Sequence, residues 1–290
     1  MKTTKLLILI IFISLNSVFA QESIVNDTTQ MVESSYLELP RIQVIPIKDA
    51  KNDRQYELYI KLPEGYSENG DIKYPVLYFT DAMWHIEILS GSTEYIMKDA
   101  ILVGISWQKD IEEDVKQKYG VHASRFEDYS FWRTTHPDHP KLQFGQAGNH
   151  LDFIRNDVFN YIEKNYRTNP NNRSYFGYSL SGLFGAYIIM TQPDTFKNYI
   201  LGSPSVQVLT KEENKVEFKN NRLNVNVFIS RGTLEEEELH EPISEFVNLL
   251  KARNDNSLSI EYAVIEGGHE TAFPMTGVRS VTWLSDLIRE

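Results

Sequence analysis

Cysteine is absent from the 290 residues, which excludes a disulfide framework, thiolate metal sites, a cysteine nucleophile and lipidation of an N-terminal cysteine. Lysine and arginine form no block anywhere: 29 basic side chains stand against 40 acidic ones, for a net charge of −11. A nucleic-acid partner requires a basic face from which counterions are released, so that class of function is excluded. No lysine- or arginine-rich helix supports a lipid-surface role. Apolar runs fall short of the ~20 residues that a spanning helix needs. Internal repeats and low-complexity tracts are also missing. What remains is 41% hydrophobic and 12% aromatic, the composition of a globular protein. At this length one large α/β domain is the expectation.

The first twenty residues stand apart. Lys2 and Lys5 precede an unbroken apolar run from Leu6 to Ile13, and Ser14 to Ala20 then supplies polar and small residues, with Val18 and Ala20 placed for an A-x-A-like cleavage. This pattern predicts a secretory signal peptide over residues 1–20 and a periplasmic or secreted mature protein with no membrane anchor left after cleavage. Residues 21–40 are polar and aperiodic and predict a flexible leader. The folded domain is expected over 41–290.

Within that domain the elements alternate. Arg41 to Ile47 and Gln55 to Leu62 alternate apolar and polar residues, as antiparallel strands at a sheet edge do. Short apolar runs at 74–80, 101–106, 174–177, 199–201, 225–230 and 258–265 fit strands buried on both faces. Helical periodicity appears at 151–166, 180–190, 241–251 and 278–288. Strands alternating with helices predict a mostly parallel sheet covered on both sides. Residues 107–150 break the rhythm as a long polar and aromatic connection. In such sheets ligands bind beyond the carboxyl ends of the strands.

One strand end reads Gly177-Tyr178-Ser179-Leu180-Ser181-Gly182 and runs straight into a helix. A sharp strand-to-helix turn exposes a serine hydroxyl and needs small residues two before and two after it. Gly177 and Ser181 meet that need around Ser179, with Ser181 where glycine is usual. Making Ser181 the nucleophile would put Leu183 in the crowded position. A serine needs a base held by a third group, and on such an elbow the order along the chain is serine, acid, histidine. Only His240 and His269 follow Ser179. His269 lies after the last strand in Gly267-Gly268-His269, whereas His240 reads as a solvated helix residue, so His269 is the expected base. The acid is expected just past the strand at 225–230: Glu235 is the choice, with Glu236 and Glu238 left open. The oxyanion donors are expected to be the backbone N–H of Leu180 and of Ala82 or Met83, in the loop after the strand at 76–80.

Taken together, Tyr74 to Asp81, Arg125-Phe126-Glu127-Asp128-Tyr129, Gly177 to Phe184, Gly202-Ser203-Pro204-Ser205 and Gly267-Gly268-His269 resemble the Putative esterase family of α/β-hydrolases. That family includes enterochelin (siderophore) esterases, S-formylglutathione hydrolase, feruloyl and acetyl-xylan esterases and mycolyltransferases; the resemblance is nearest to the periplasmic enterochelin-esterase-like branch. It implies an eight-stranded, mostly parallel sheet with helices on both faces, a serine carboxylic-ester hydrolase working through an acyl-enzyme, a small-molecule ester substrate and no cofactor. Two departures from the family pattern are Ser181 and an acid set in a run of glutamates.

The long connection interleaves aromatics with cations. Trp84, Arg125, Tyr129 and Trp132 are the residues expected to wall a substrate cleft for an aryl or sugar ester, against the alternative of a loop packed on its own aromatics. His136 and His139 flank a proline and have no companion ligands, so no metal site is expected. A siderophore or other aryl ester is the expected substrate and a polysaccharide feruloyl or acetyl ester the alternative. The contrasting class is a non-catalytic binding protein on the same fold.

Overall fold

The structure is a computed structural model that describes residues 41–68, 70–136, 139–209 and 216–289; the expected signal peptide and leader lie outside the described residues. Among the described residues ten strands form in chain order: β1 (Ile42–Asp49), β2 (Arg54–Lys61), β3 (Tyr74–Phe79), β4 (Ile101–Ile105), β5 (Thr135–His136), β6 (His139–Gln143), β7 (Thr168–Tyr178), β8 (Asn198–Gly202), β9 (Val225–Gly232) and β10 (Leu258–Ile265). Eight of them make one sheet in the order β1-β2-β4-β3-β7-β8-β9-β10. The pairs β1/β2 and β2/β4 are antiparallel and the rest are parallel. This is the mostly parallel sheet that the alternation implied, with the eight strands that the family resemblance implied.

The helices are α1 (Ala82–Ile96), α2 (Glu113–Tyr119), α3 (Arg125–Asp128), α4 (Ala147–Phe153), α5 (Phe159–Asn165), α6 (Leu180–Thr191), α7 (Glu237–Ala252) and α8 (Phe273–Arg289). Side chains alternate across the central strands, and two cores follow. Val76, Tyr78, Val103 and Tyr175 pack under α4 to α7, while Leu77, Phe79, Leu102 and Phe176 pack under α1 and α8. Each such buried side chain contributes roughly 1.5–3 kcal/mol.

Several elements differ from the sequence reading. The helix expected from residue 151 starts at Ala147 and is split by a π-helical turn at Ile154–Val158. Helices α7 and α8 begin several residues early. Helix α1 was not anticipated, because Ser90, Gly91, Ser92 and Thr93 are weak helix formers. Two of those hydroxyls fold back onto carbonyls one turn earlier, Ser92 onto Ile88 and Thr93 onto Leu89, each at 2.7 Å. Finally, β10 is a sheet edge rather than a doubly buried strand: Ser259, Glu261 and Val264 are exposed, and among the described residues only β9 pairs with it.

The connection at 107–150 is folded rather than loose. It carries α2, α3 and the β5–β6 hairpin around a small core of Val115, Ala123 and Leu142. It lies over the carboxyl end of β4, beside that of β3.

Candidate active site

The turn between β7 and α6 holds Ser179 at φ 59°, ψ −117°, a region that non-glycine residues rarely enter. Its neighbours impose this conformation. Ser179 N–H donates to Gly202 C=O (2.8 Å), while its own carbonyl accepts from Leu183 N–H (3.0 Å) and Ser205 N–H (3.1 Å). A Cβ at position 177 would overlap the Ser181 carbonyl oxygen, so glycine is required there. Ser181 fits because its hydroxyl closes locally, accepting from Tyr178 N–H and donating to Tyr178 C=O, both at 2.9 Å.

Two and three strands along from β7, the loops after β9 and β10 are laced together. Thr233 N–H donates to Ile265 C=O (2.8 Å) and Leu234 N–H to Gly267 C=O (2.9 Å). Gly267 has φ 123°, which lets the chain turn back and present His269. The Tyr178 hydroxyl, one residue before Ser179, donates to the His269 carbonyl at 2.6 Å. The result is one continuous chain of hydrogen bonds: Ser179 Oγ to His269 Nε2 at 2.8 Å, and His269 Nδ1 to Glu235 Oε1 at 3.0 Å.

Glu235 is the glutamate brought to the imidazole; Glu236 and Glu238 are exposed at the start of α7. Burial alone would raise the Glu235 carboxyl, but the hydrogen bond from His269 and the nearby Ser203 hydroxyl outweigh it and hold the group below the usual carboxylate range. With Glu235 ionised, Nδ1 is the protonated nitrogen and Nε2 is free to accept from Ser179.

Leu180 opens α6 and Ala82 and Met83 open α1, so their N–H groups belong to first turns that have no helical acceptor. The strands β3 and β7 are parallel with Phe79 opposite Phe176. Ala82 and Ser179 each lie three residues beyond that pair, which puts the two helix starts side by side.

The four expected cleft residues separate. Arg125 is committed to a buried partner, its Nε and Nη2 lying 2.7 and 3.0 Å from the two Asp81 carboxylate oxygens. Trp84 lies on that guanidinium with 4.6 Å between the ring centre and Cζ, and 42% of the residue is exposed. Tyr129 does not wall a cleft: it is 1% exposed, stacked on Phe184, with its hydroxyl 3.4 Å from Asp81 N. Trp132 stacks on Phe144 and meets Phe131 edge-on, in a separate aromatic group. The sequence reading missed the supporting roles of Asp81, Trp107, Ser203 and Ser205. Ser205 Oγ is 3.4 Å from Ser179 Oγ, and its place in Gly202-Ser203-Pro204-Ser205, after a strand end, was the available signal. Among the described residues no group of three or more His, Asp or Glu side chains could hold a metal ion; the His136 and His139 side chains lie outside them.

A family profile described as Putative esterase matches residues 50–289. The chain belongs to the Putative esterase family. As a member it is an esterase of the serine hydrolase kind, built on the fold that the family resemblance implied. This esterase is 24% identical over 282 residues to ferri-bacillibactin esterase BesA of Bacillus subtilis (strain 168), across 88% of this chain and 93% of that one. Among solved structures, the BES protein of Bacillus cereus superposes with a TM-score of 0.72 at 23% identity, covering 87% of this chain and 99% of that one. An IroE-like serine hydrolase from Shewanella oneidensis gives 0.70 at 18% identity, over 86% and 80%.

Proposed function

We propose that this esterase is an exported serine carboxylic-ester hydrolase of the siderophore-esterase type, with Ser179, His269 and Glu235 as its triad. The observation that carries the proposal is the unbroken hydrogen-bond chain from Ser179 Oγ through the imidazole to Glu235. His269 Nε2 takes the Ser179 proton as Oγ attacks the ester carbonyl carbon, and Glu235 stabilises the imidazolium that forms. The carbonyl oxygen becomes an oxyanion held by the N–H groups of Leu180 and of Ala82 or Met83. Collapse expels the alcohol, which leaves with the proton from His269, and Ser179 is acylated. Water repeats the attack with His269 again as base, releasing the acid and restoring the serine.

Two features favour an aryl ester. The relative BesA is named for a ferri-siderophore, and Trp84, 42% exposed and stacked on a cation, offers an aromatic face beside Met83, which is 49% exposed. Export rests on Lys2, Lys5 and the apolar run that follows them; it predicts a mature N-terminus at Gln21, read by mass spectrometry of the secreted or periplasmic form.

The decisive test is labelling of the purified protein with a fluorophosphonate and locating the adduct by peptide mass spectrometry. A single adduct on Ser179 is expected, with Ser179→Ala lacking aryl-ester turnover at an unchanged melting temperature. Residual turnover within tenfold of wild type would overturn the proposal. A folded wild type that takes no label would favour the binding-protein alternative.

A further inference from the structure

Asp81 sits at the N-cap of α1 and makes no capping hydrogen bond. That is unusual, because an N-cap aspartate ordinarily accepts from the N–H groups two and three residues on, which here are those of Met83 and Trp84. Its carboxylate points elsewhere: Oδ1 accepts from Trp107 Nε1 and Arg125 Nε, each at 2.7 Å, and Oδ2 accepts from Arg125 Nη2 at 3.0 Å. The backbone of Asp81 is in the left-handed region, φ 55°, ψ 42°, and its N–H lies 3.4 Å from the Tyr129 hydroxyl. All of these partners belong to the long connection.

The consequence falls on the helix start. The first hydrogen bonds into α1 run from Trp84 N–H (2.9 Å) and His85 N–H (3.2 Å) to the Asp81 carbonyl. The two N–H groups before them, on Ala82 and Met83, therefore have no helical acceptor. A free carboxylate at position 81 would occupy one of them and place a negative charge where the reaction develops another.

We propose that Arg125, assisted by Trp107, is a positioning residue for the oxyanion site: by holding the Asp81 carboxylate off the N-terminus of α1, it keeps the Ala82 and Met83 amides open. The inference rests on the serine-esterase reading above. It replaces the expectation that Arg125 grips substrate, since two of its donors are spent on Asp81, Trp84 covers its face, and only 13% of its side chain is exposed. The ion pair is also fully enclosed on the Asp81 side, so its neutrality is maintained without solvent. A bidentate guanidinium suits this role better than an ammonium would.

The test is steady-state kinetics on an aryl ester for wild type, Arg125→Met, Asp81→Gly and the double variant. Glycine adopts φ 55° freely and carries no carboxylate. Arg125→Met is expected to lower kcat at least 30-fold with KM within threefold, because transition-state stabilisation is lost and ground-state binding is not. The double variant is expected to recover at least tenfold over Arg125→Met, as the misplaced carboxylate is gone. A rise in KM with kcat within threefold, or a double variant no better than Arg125→Met, would overturn the inference. If Arg125→Met does not fold, the double variant compared with Asp81→Gly decides: kcat values within threefold support the inference, and a tenfold gap overturns it. A wild type without esterase activity overturns this inference together with the reading it rests on, whereas the variants alone can fail it while that reading stands.

Discussion

At the scale of single residues, the elbow depends on what is missing from position 177. The nearest heavy atoms to a Cβ there are the Ser181 carbonyl and the Tyr175 hydroxyl, and the Tyr175 hydroxyl itself donates to that carbonyl at 2.8 Å. Neither can retreat, because the carbonyl belongs to the first turn of α6 and the Tyr175 ring is buried on β7 against Phe184 and Phe196. Gly177→Ala is therefore expected to cost about 1–3 kcal/mol in stability and to lower kcat at least 100-fold by displacing Ser179. Urea denaturation and ester kinetics on the same preparation check both; a variant with wild-type kcat would contradict the account. The serine at 181 is harmless by contrast, since its hydroxyl is absorbed by the two backbone groups of Tyr178.

Between elements, one buried carboxylate ties the long connection to the sheet. Asp128 on α3 lies 3.1 Å from Arg54 Nη1 and 3.2 Å from the Tyr56 hydroxyl, both on β2, and 3.0 Å from Gln108 Nε2. Burial pushes the Asp128 carboxyl up to about 7, against the opposing pull of Arg54. A carboxyl raised in the native state keeps a proton that the unfolded chain has released above about 4. This group's contribution therefore makes the protein less stable as pH rises from about 4 to about 7, and flat beyond. Asp128→Asn removes that slope. Denaturant titrations at pH 5 and pH 8 should show wild type losing about 2 kcal/mol relative to the variant over that interval. Parallel behaviour of the two proteins would refute the tether's titration.

For the whole molecule, two buried histidines act in the opposite sense. His85 Nδ1–H donates to the Thr80 carbonyl (2.8 Å), and burial lowers the imidazole to about 4. His150 sits among Tyr56, Tyr129, Phe153 and Phe184, neither ring nitrogen has a hydrogen-bond partner among the described residues, and burial lowers it to about 3. The unfolded chain protonates a histidine near 6.5, so folding stability is lost as pH falls below about 6.5 toward 4 and 3. Two such groups outweigh the single proton of Asp128 in that window. His150→Phe eliminates two orphaned polar atoms, each costing about 1 kcal/mol or more. An acid titration followed by circular dichroism should show its unfolding midpoint at lower pH than wild type; an unmoved midpoint would count against this account.

Local patterns were legible in the sequence because their causes are local. Hydrophobic periodicity marked the eight strands of the main sheet, since alternation and apolar runs follow from which face each residue must bury. The small residues around Ser179 and the glycine pair before His269 revealed a tight turn and a reaching loop, as those conformations demand particular residues in place. The tertiary structure alone decided the rest. It selected Glu235 from a run of glutamates, because that choice depends on how the loops after β9 and β10 interlock. It paired Asp81 with Arg125 across 44 positions and buried Tyr129 beneath them, and it made a helix of residues 82–96 by packing α1 against α8. Such outcomes depend on strand order and on close packing between segments far apart in the chain, and neither is encoded in any short stretch of sequence.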